Sequence, residues 1–440
     1  MLSVIIMAAG FGTRMKSTTP KVLHTICNKS LLEYVLDAAL SVSKDVHLVL
    51  FNEHAKIKAY VESKYENTLK DITFHLQNHN ETPGTGGTLM KKDRSFLDIK
   101  GEKVLILSGD TPLLEGFELE GLSKVKSPIV LSCFKIDDPF GYGRIKEKEG
   151  KISIVEEKDA SEEEKAITLV NAGLYCFDKE VLKTCVPLLK DDNAQKEFYL
   201  TDIISIAQDK GYKASLFSVK EENLYGINTK ANLAHAQDLM LKRLRKKWME
   251  AGVIMNMPDS IYIDSTVSFE GECILDSFVS IKGKSVITNS HIKQSSVVVD
   301  SKIKDSDVGP SAHVRPNCEI ESSHIGNFVE CKNAKLKGMK AGHLSYLGDC
   351  EVDTGSNIGA GVITCNYDGI RKHKTLIGKN VFVGSDVQLV APVTIADNVL
   401  IAAGSTITKN VKAGYLSISR TNQTDIENGF FRFKELKSKS

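Results

Sequence analysis

An apolar residue opens every sixth position in two stretches of the chain's second half, at Ile263, Phe269, Leu275 and Ile281 and again at Ile377, Val383, Leu389, Ile395, Ile401 and Ile407. Three such hexads make one triangular coil of a parallel β-helix, with the apolar residue inward and small or polar residues at the corners. No coil covers its own open faces, so coils must stack. A repeat spread over about 150 residues leaves room for roughly eight coils of about 18 residues. Up to residue 228 the pattern differs: Val4–Ala8, Val46–Phe51, Val104–Leu107 and Ile129–Phe134 read as buried strands and Leu31–Ser41 as a crossover helix, which predicts an α/β, Rossmann-like sheet domain. Between the two, residues 229–251 read as one long helix with Leu233, Leu239, Met240, Leu244 and Trp248 on a stripe and Gly252 as its stop. The expected organisation is therefore a sheet domain over 1–228, a linker helix over 229–251 and a β-helix domain over 252–440.

Composition narrows the partners. With 42% hydrophobic and 26% charged residues and a net charge of +1, the chain is ordinary globular material without a nucleic-acid footprint. The basic run Lys242, Arg243, Arg245, Lys246, Lys247 reads as a solvated helix face. Nine cysteines without a C-x-x-C pair, some of them at inward hexad positions such as Cys273 and Cys318, predict buried thiols in a reducing compartment. Met1 to Ala9 reads as a strand without a basic start and no apolar run reaches spanning length, so neither a secretory leader nor membrane insertion is expected and the location is cytoplasmic.

Chemistry gathers where the first strand ends. It runs into M7-A-A-G-F-G-T-R-M15, with P20-K21 close behind. Gly10 and Gly12 admit a phosphate close to the backbone, while Thr13, Arg14 and Lys21 add a hydroxyl and two positive charges, a set suited to a triphosphate. Neither Walker A nor the dinucleotide G-x-G-x-x-G fits. Asp110 closes a second buried strand in S108-G-D110, an oxygen ligand suited to Mg2+ or else a turn cap.

The G-x-G-T-R and P-K pair resembles the opening motif of the sugar-phosphate nucleotidyltransferases. With the hexads behind it, the chain resembles the bacterial bifunctional family that joins N-acetylglucosamine-1-phosphate uridylyltransferase to glucosamine-1-phosphate N-acetyltransferase. The resemblance implies Mg2+ held by Asp110 and Asn228, and UTP and N-acetylglucosamine 1-phosphate bound by Ala8, Ala9, Gly10, Gly12, Thr13, Lys21, Gln77, Gly84, Thr85, Gly109, Gly143, Glu156 and Asn171. Arg14 and Lys21 would neutralise charge during transfer. Two departures stand out: the Gln77–Gly84 segment is about two residues longer than in well-known relatives, and Ser108 replaces a common aromatic.

In the second half the hexads break at T364-C-N-Y-D-G-I-R-K-H-K-T-L376, a polar, basic and aromatic insertion that must project as a loop. Upstream, N327-F-V-E-C-K332 and K340-A-G-H-L-S-Y-L-G-D349 interrupt the aliphatic spacing with ionisable groups. The family pattern G-H-L-[ST]-Y-[LI]-G marks His343 as the general base for acetyl transfer, with Glu330 orienting it. By the same resemblance Arg315, Lys332, Tyr346, Asn357, Asn366 and Tyr367 bind glucosamine 1-phosphate, and Ala360, Ser385, Ala403 and Arg420 bind the co-substrate acetyl-CoA. Asn333 stands where a lysine is common. Hexad helices of this family are left-handed and trimeric, with sites between chains, so a homotrimer is implied, as is the product UDP-N-acetylglucosamine for cell-envelope synthesis. Competing readings are a single-activity nucleotidyltransferase whose β-helix only trimerises or regulates, a zinc enzyme of the γ-carbonic anhydrase type, for which His313, His324 and His343 lack the ligand spacing, and a purely structural scaffold.

Overall fold

Strands buried on both faces need no alternation, and the runs read as continuous apolar segments do form the centre of a sheet. The structure is a computed structural model and describes residues 1–438. It divides into two compact units, Met1–Lys242 and Arg243–Ser440, the division falling within the helix Lys230–Glu250.

In the first unit the strand path runs Ala214–Ser218, Ile129–Lys135, Leu169–Asp178, Lys103–Ser108, Leu2–Ala8, Val46–Leu50, Ile72–Leu76, with the hairpin Arg144–Lys148 and Lys151–Val155 attached beside Leu169–Asp178. Leu2–Ala8 lies parallel to both neighbours, and Met7 faces Ser108 in register. The carboxyl ends of these two strands thus open at the same edge, where ligands of such sheets bind. Leu169–Asp178 runs antiparallel between two strands and bulges between Asn171 and Tyr175, which makes the sheet mixed. Helix Leu31–Val42 starts at a capping box: the Ser30 hydroxyl accepts from the Glu33 amide at 3.1 Å, and the Ser30 amide donates to the Glu33 carboxylate at 2.8 Å.

One polar contact inside this sheet carries a pH dependence. His47, 3% exposed, and His75 on the neighbouring strand share a 2.8 Å hydrogen bond between Nδ1 and Nε2. Burial first, and the facing His47 second, push the His75 imidazole from 6.5 down to about 4. The unfolded chain therefore takes up this proton from 6.5 downward while the folded chain declines it to about 4. Stability is complete above that window and falls as pH drops through it, by at most about 3 kcal/mol. His75→Gln, which cannot titrate, should flatten the acid arm of thermal unfolding between pH 7 and 4.5. Identical acid sensitivity in both proteins would remove His75 as the cause.

The second unit is a left-handed parallel β-helix whose three faces are parallel sheets of ten, nine and eight short strands, more coils than the roughly eight expected. The surplus lies at the two ends, where Ile254–Met255 and Leu416–Ser417 extend the ten-stranded face beyond the hexads, and several sides within the stack are one residue shorter. Inward residues are five apart from Ile287 to Ile292, Val298 to Ile303, Ile303 to Val308 and Cys331 to Leu336. Each such corner turns on one residue with a left-handed backbone, Asn289, Asp300, Asp305 and Asn333, with φ of 44, 41, 48 and 47°. Asn and Asp tolerate that conformation best after glycine, so they save a residue per corner. The apparent interruptions around 327–349 are likewise not breaks: Val329, Cys331, Ala341 and Leu347 all point inward and are fully buried. Corner serines add a hydrogen-bonded ladder, Ser306 N to Ser290 Oγ at 3.1 Å and Ser323 N to Ser306 Oγ at 3.0 Å.

Helix Lys230–Glu250 buries Leu239, Met240 and Leu244, and Trp248 packs edge-on against Phe269 at 5.0 Å. Its basic face is not wholly solvated, because Arg245 turns inward and donates to the Ile261 carbonyl at 2.8 Å. The cysteines are free, eight of them buried and Cys365 half-buried. Gly429–Ser438 is helical, while Lys439 and Ser440 lie outside the described residues. Among the described residues no helix is long and apolar enough to cross a membrane.

Candidate active sites

The glycine loop does in the first unit what its composition demands. Gly12 has φ +64°, and a Cβ there would meet Lys21 Cβ at 2.8 Å, so only glycine lets the loop close on the lysine. Nothing lies within 4 Å of a Cβ at Gly10, which leaves that side open. Lys21 ion-pairs with Asp110, and its ammonium also reaches Asn228 Oδ1 at 3.2 Å. Arg14 donates to the same Asn228 oxygen at 3.0 Å. Asp110 is only 8% exposed and accepts a 2.6 Å bond from Ser108, the serine that stands where an aromatic is common. Ile227 N bonds Asp110 O at 3.1 Å and ties the Asn228 segment to the end of the Lys103–Ser108 strand. Arg14, Lys21, Asp110 and Asn228 are thus one cluster.

Ala8, Ala9, Gly10, Lys21, Gln77, Gly84, Thr85 and Asp110 line one cavity of about 280 Å³ at the sheet edge. Gln77, 5% exposed, donates from Nε2 to the carbonyls of Thr82 and Gly84 at 2.9 and 3.0 Å, so the free end of its amide is an acceptor. The Thr85 hydroxyl accepts from Leu200 N at 3.0 Å. A Cβ at Gly109 would crowd Ala8 Cβ at 3.2 Å. Thr13 begins the short helical turn Thr13–Met15.

Gly143, Glu156 and Asn171 form a second group: Asn171 N bonds Gly143 O at 2.8 Å, and a Cβ at Gly143 would sit 3.5 Å from the Glu156 carboxylate. Burial raises the Glu156 carboxyl, with Asp202 and Asp159 adding to it against a 3.0 Å bond from Thr201. Asn171 donates to Tyr175 OH at 2.6 Å. Thr201 and Tyr175 carry no sequence signal of these roles.

In the β-helix, His343 ends a rung of the ten-stranded face. Ala360, Ser385 and Ala403 each follow rungs of that same face at the same corner, joined by Asp386 N to Ala360 O at 2.8 Å and Gly404 N to Ser385 O at 2.9 Å. Arg420 closes the row by donating to Ala403 O at 2.6 Å. The four therefore mark one edge, with His343 on the same corner nearer its start.

Arg315, Glu330, Lys332 and Tyr346 belong to the adjoining nine-stranded face, whereas Asn357 stands with His343 on the ten-stranded one. Glu330 does not orient His343 within the chain: its carboxylate takes a 2.8 Å bond from Arg315, and its register neighbour is Tyr346. The loop after Thr364 is a closed turn in which Asp368 accepts from Ile370 N, Arg371 N and His373 Nε2 at 2.8, 2.6 and 2.7 Å. Asn366, 8% exposed, donates to Asp349, and Asn333 donates to the other oxygen of that carboxylate at 2.5 Å. Tyr367 is 60% exposed. Lys372 was legible only as part of a basic loop. Its ammonium meets that of Lys332 and, with Arg315, pushes the Lys332 ammonium below its usual range. Two lysine ammoniums held together beside the Arg315–Glu330 pair leave positive charge that calls for an anion.

A sheet whose mouth pairs a glycine loop and lysine with an Asp/Asn oxygen pair, followed by a hexad β-helix, defines a nucleotidyl transferase joined to a hexapeptide-repeat transferase. The comparisons agree: the nucleotidyl transferase family model matches residues 3–259, and the bacterial transferase hexapeptide (six repeats) model matches residues 374–409. The chain is 54% identical over 434 residues to the bifunctional protein GlmU of Wolinella succinogenes, covering 98% of each. It is 52% identical to that of Helicobacter hepaticus, covering 98% of this chain and 97% of the relative. It is also 52% identical to that of Campylobacter concisus, covering 98% of this chain and 96% of the relative. The chain belongs to the family of bifunctional GlmU proteins and is a bifunctional transferase. A β-helix that only trimerises or regulates is not favoured.

Proposed function

We propose that the chain acetylates glucosamine 1-phosphate with acetyl-CoA and then transfers UMP from UTP to the N-acetylglucosamine 1-phosphate so formed, giving UDP-N-acetylglucosamine and pyrophosphate. The observation that carries the reading is the convergence of Lys21 and Arg14 on the oxygens of Asp110 and Asn228. Both oxygens already meet one ammonium, so they are spaced to share a single cation, and two oxygen donors suit Mg2+, which keeps waters and phosphates as its other ligands. Asp110 and Asn228 would hold that ion, and its charge would offset the charge on the phosphates. A phosphate oxygen of the sugar attacks the α-phosphorus of UTP, the bond to the β-phosphate breaks, and pyrophosphate leaves. Arg14 and Lys21 neutralise the anions brought together, and the buried Gln77 offers its acceptor to a base N–H.

At the second centre the amine of glucosamine 1-phosphate attacks the thioester carbonyl, His343 accepts the amine proton, and coenzyme A leaves as its thiol. Arg315, Lys332 and Lys372 supply charge for the sugar phosphate, and the Ala360–Ser385–Ala403 edge offers small residues along which an extended arm can lie. Neither face holds all these groups, and the corner between them is apolar and exposed: Phe278, Phe328 and Leu344 are 58, 59 and 61% exposed. All three adopt left-handed φ of 61, 55 and 49°, an unfavourable conformation for bulky residues. Second copies of the chain cover this edge in a homotrimer and complete the acetyl site. Phe328→Glu should lower the solution mass to that of a monomer and abolish acetyl transfer while uridylyl transfer persists; an unchanged trimer would move the interface elsewhere. The enzyme is placed in the cytoplasm, where these substrates and reduced thiols occur.

The direct test supplies glucosamine 1-phosphate, acetyl-CoA and UTP and follows free thiol and pyrophosphate. Both are expected; absence of either removes the corresponding centre.

A further inference from the structure

The nucleotide cavity has a wall that phosphate chemistry does not use. Phe11 projects between Gly10 and Gly12 and is 53% exposed, an unusual residue to hold open in a loop otherwise built for anions. Its ring meets Phe51 edge-on at 5.6 Å and His79 edge-on at 5.1 Å, while Phe51 and His79 stack at 4.7 Å with planes 20° apart. Phe11 and His79 both border the cavity beside Gln77.

The position of His79 is built. Thr82 N donates to Asn78 O at 2.8 Å, and the buried Gln77 amide holds the carbonyls of Thr82 and Gly84, which closes the lengthened 77–84 segment into a turn with His79 on its cavity side. The group that fixes His79 is thus the group that faces the base. Aromatic faces carry negative charge density and repel phosphate oxygens, so the triphosphate gains nothing from this wall; a flat heteroaromatic ring does.

We propose that Phe11 and His79, backed by Phe51, form an aromatic wall against which the base of the nucleoside triphosphate stacks, so that they position UTP without touching the reacting phosphorus. This deepens the uridylyltransferase reading and rests on it. Stacking acts on binding, so Phe11→Ala and His79→Ala should each raise KM for UTP about tenfold with kcat little changed. They should weaken UTP binding by calorimetry to the same degree and leave binding of inorganic pyrophosphate as in the wild type. Phe11→Tyr and His79→Phe, which keep a ring, should restore the wild-type KM. Melting curves of the same preparations, in which the transition of the first unit must match the wild type, report that each variant is folded.

An unchanged KM in folded Ala variants overturns the proposal. So does equal weakening of UTP and pyrophosphate, because the ring would then merely shape the phosphate loop. A wild-type chain that binds pyrophosphate but not UTP, or an Asp110→Asn variant with full uridylyl transfer, would instead overturn the reading of the site itself.

Discussion

Asp110→Asn should cut uridylyl transfer by about a thousandfold while acetyl transfer by the same molecule stays at the wild-type rate. The carboxylate is 8% exposed and is bonded by Lys21 and Ser108. An amide is nearly the same size and can still accept from Ser108, so the local fold should survive. What disappears is the negative charge that balances Lys21 and that any divalent cation shared with Asn228 requires. Lys21 keeps its 3.2 Å contact to Asn228 and some exposure, which limits the stability cost of leaving its charge unpaired. Pyrophosphate release at saturating UTP, with acetyl transfer as internal control, measures the effect. A loss below tenfold would show that Asp110 is only the counter-ion of Lys21.

His343→Ala should lower acetyl transfer by about 10² to 10⁴-fold, with uridylyl transfer from supplied N-acetylglucosamine 1-phosphate unaffected. The imidazole is exposed and makes no hydrogen bond within the chain among the described residues, so its removal should cost little stability, and a large kinetic effect could not be blamed on unfolding. Thiol release at saturating acetyl-CoA, compared with the melting temperature of the same preparation, separates the two. If acetyl transfer persists within threefold, the proton goes elsewhere and the row from Ala360 to Arg420 loses its chemical end.

The sequence was most informative where spacing along the chain and spacing in space coincide. Gly10, Gly12, Thr13, Arg14 and Lys21 fall within twelve residues and read as a phosphate loop without any fold. Asp110, at a strand end, was legible as a ligand or a cap, but Lys21 reaches it across 89 residues and Asn228 across 207, a union that follows from strands that start far apart and end at one edge. In the β-helix the hexads around 263–281 and 377–407 announced themselves. The coils between them did not, because Asn289, Asp300, Asp305 and Asn333 each turn a corner with one residue fewer, and a fixed period of six cannot register that. The resemblance placed Glu330 on His343, yet the chain puts the two on different faces and gives Glu330 to Arg315. Lys372 needed the fold of its loop before its approach to Lys332 could be seen.

What the sequence determined by itself is the period of its apolar residues, hence a sheet domain followed by a stacked helix, and the kinds of group gathered at each strand end, because side-chain periodicity and turn chemistry are local properties. What the tertiary structure decided is which of those groups meet. The antiparallel strand inside the first sheet, the inward turn of Arg245, the aromatic wall around Phe11 and the corner that aligns His343, Ala360, Ser385 and Ala403 all depend on residues brought together across loops. The free energy of those contacts comes from burial and pairing that no stretch of chain possesses alone.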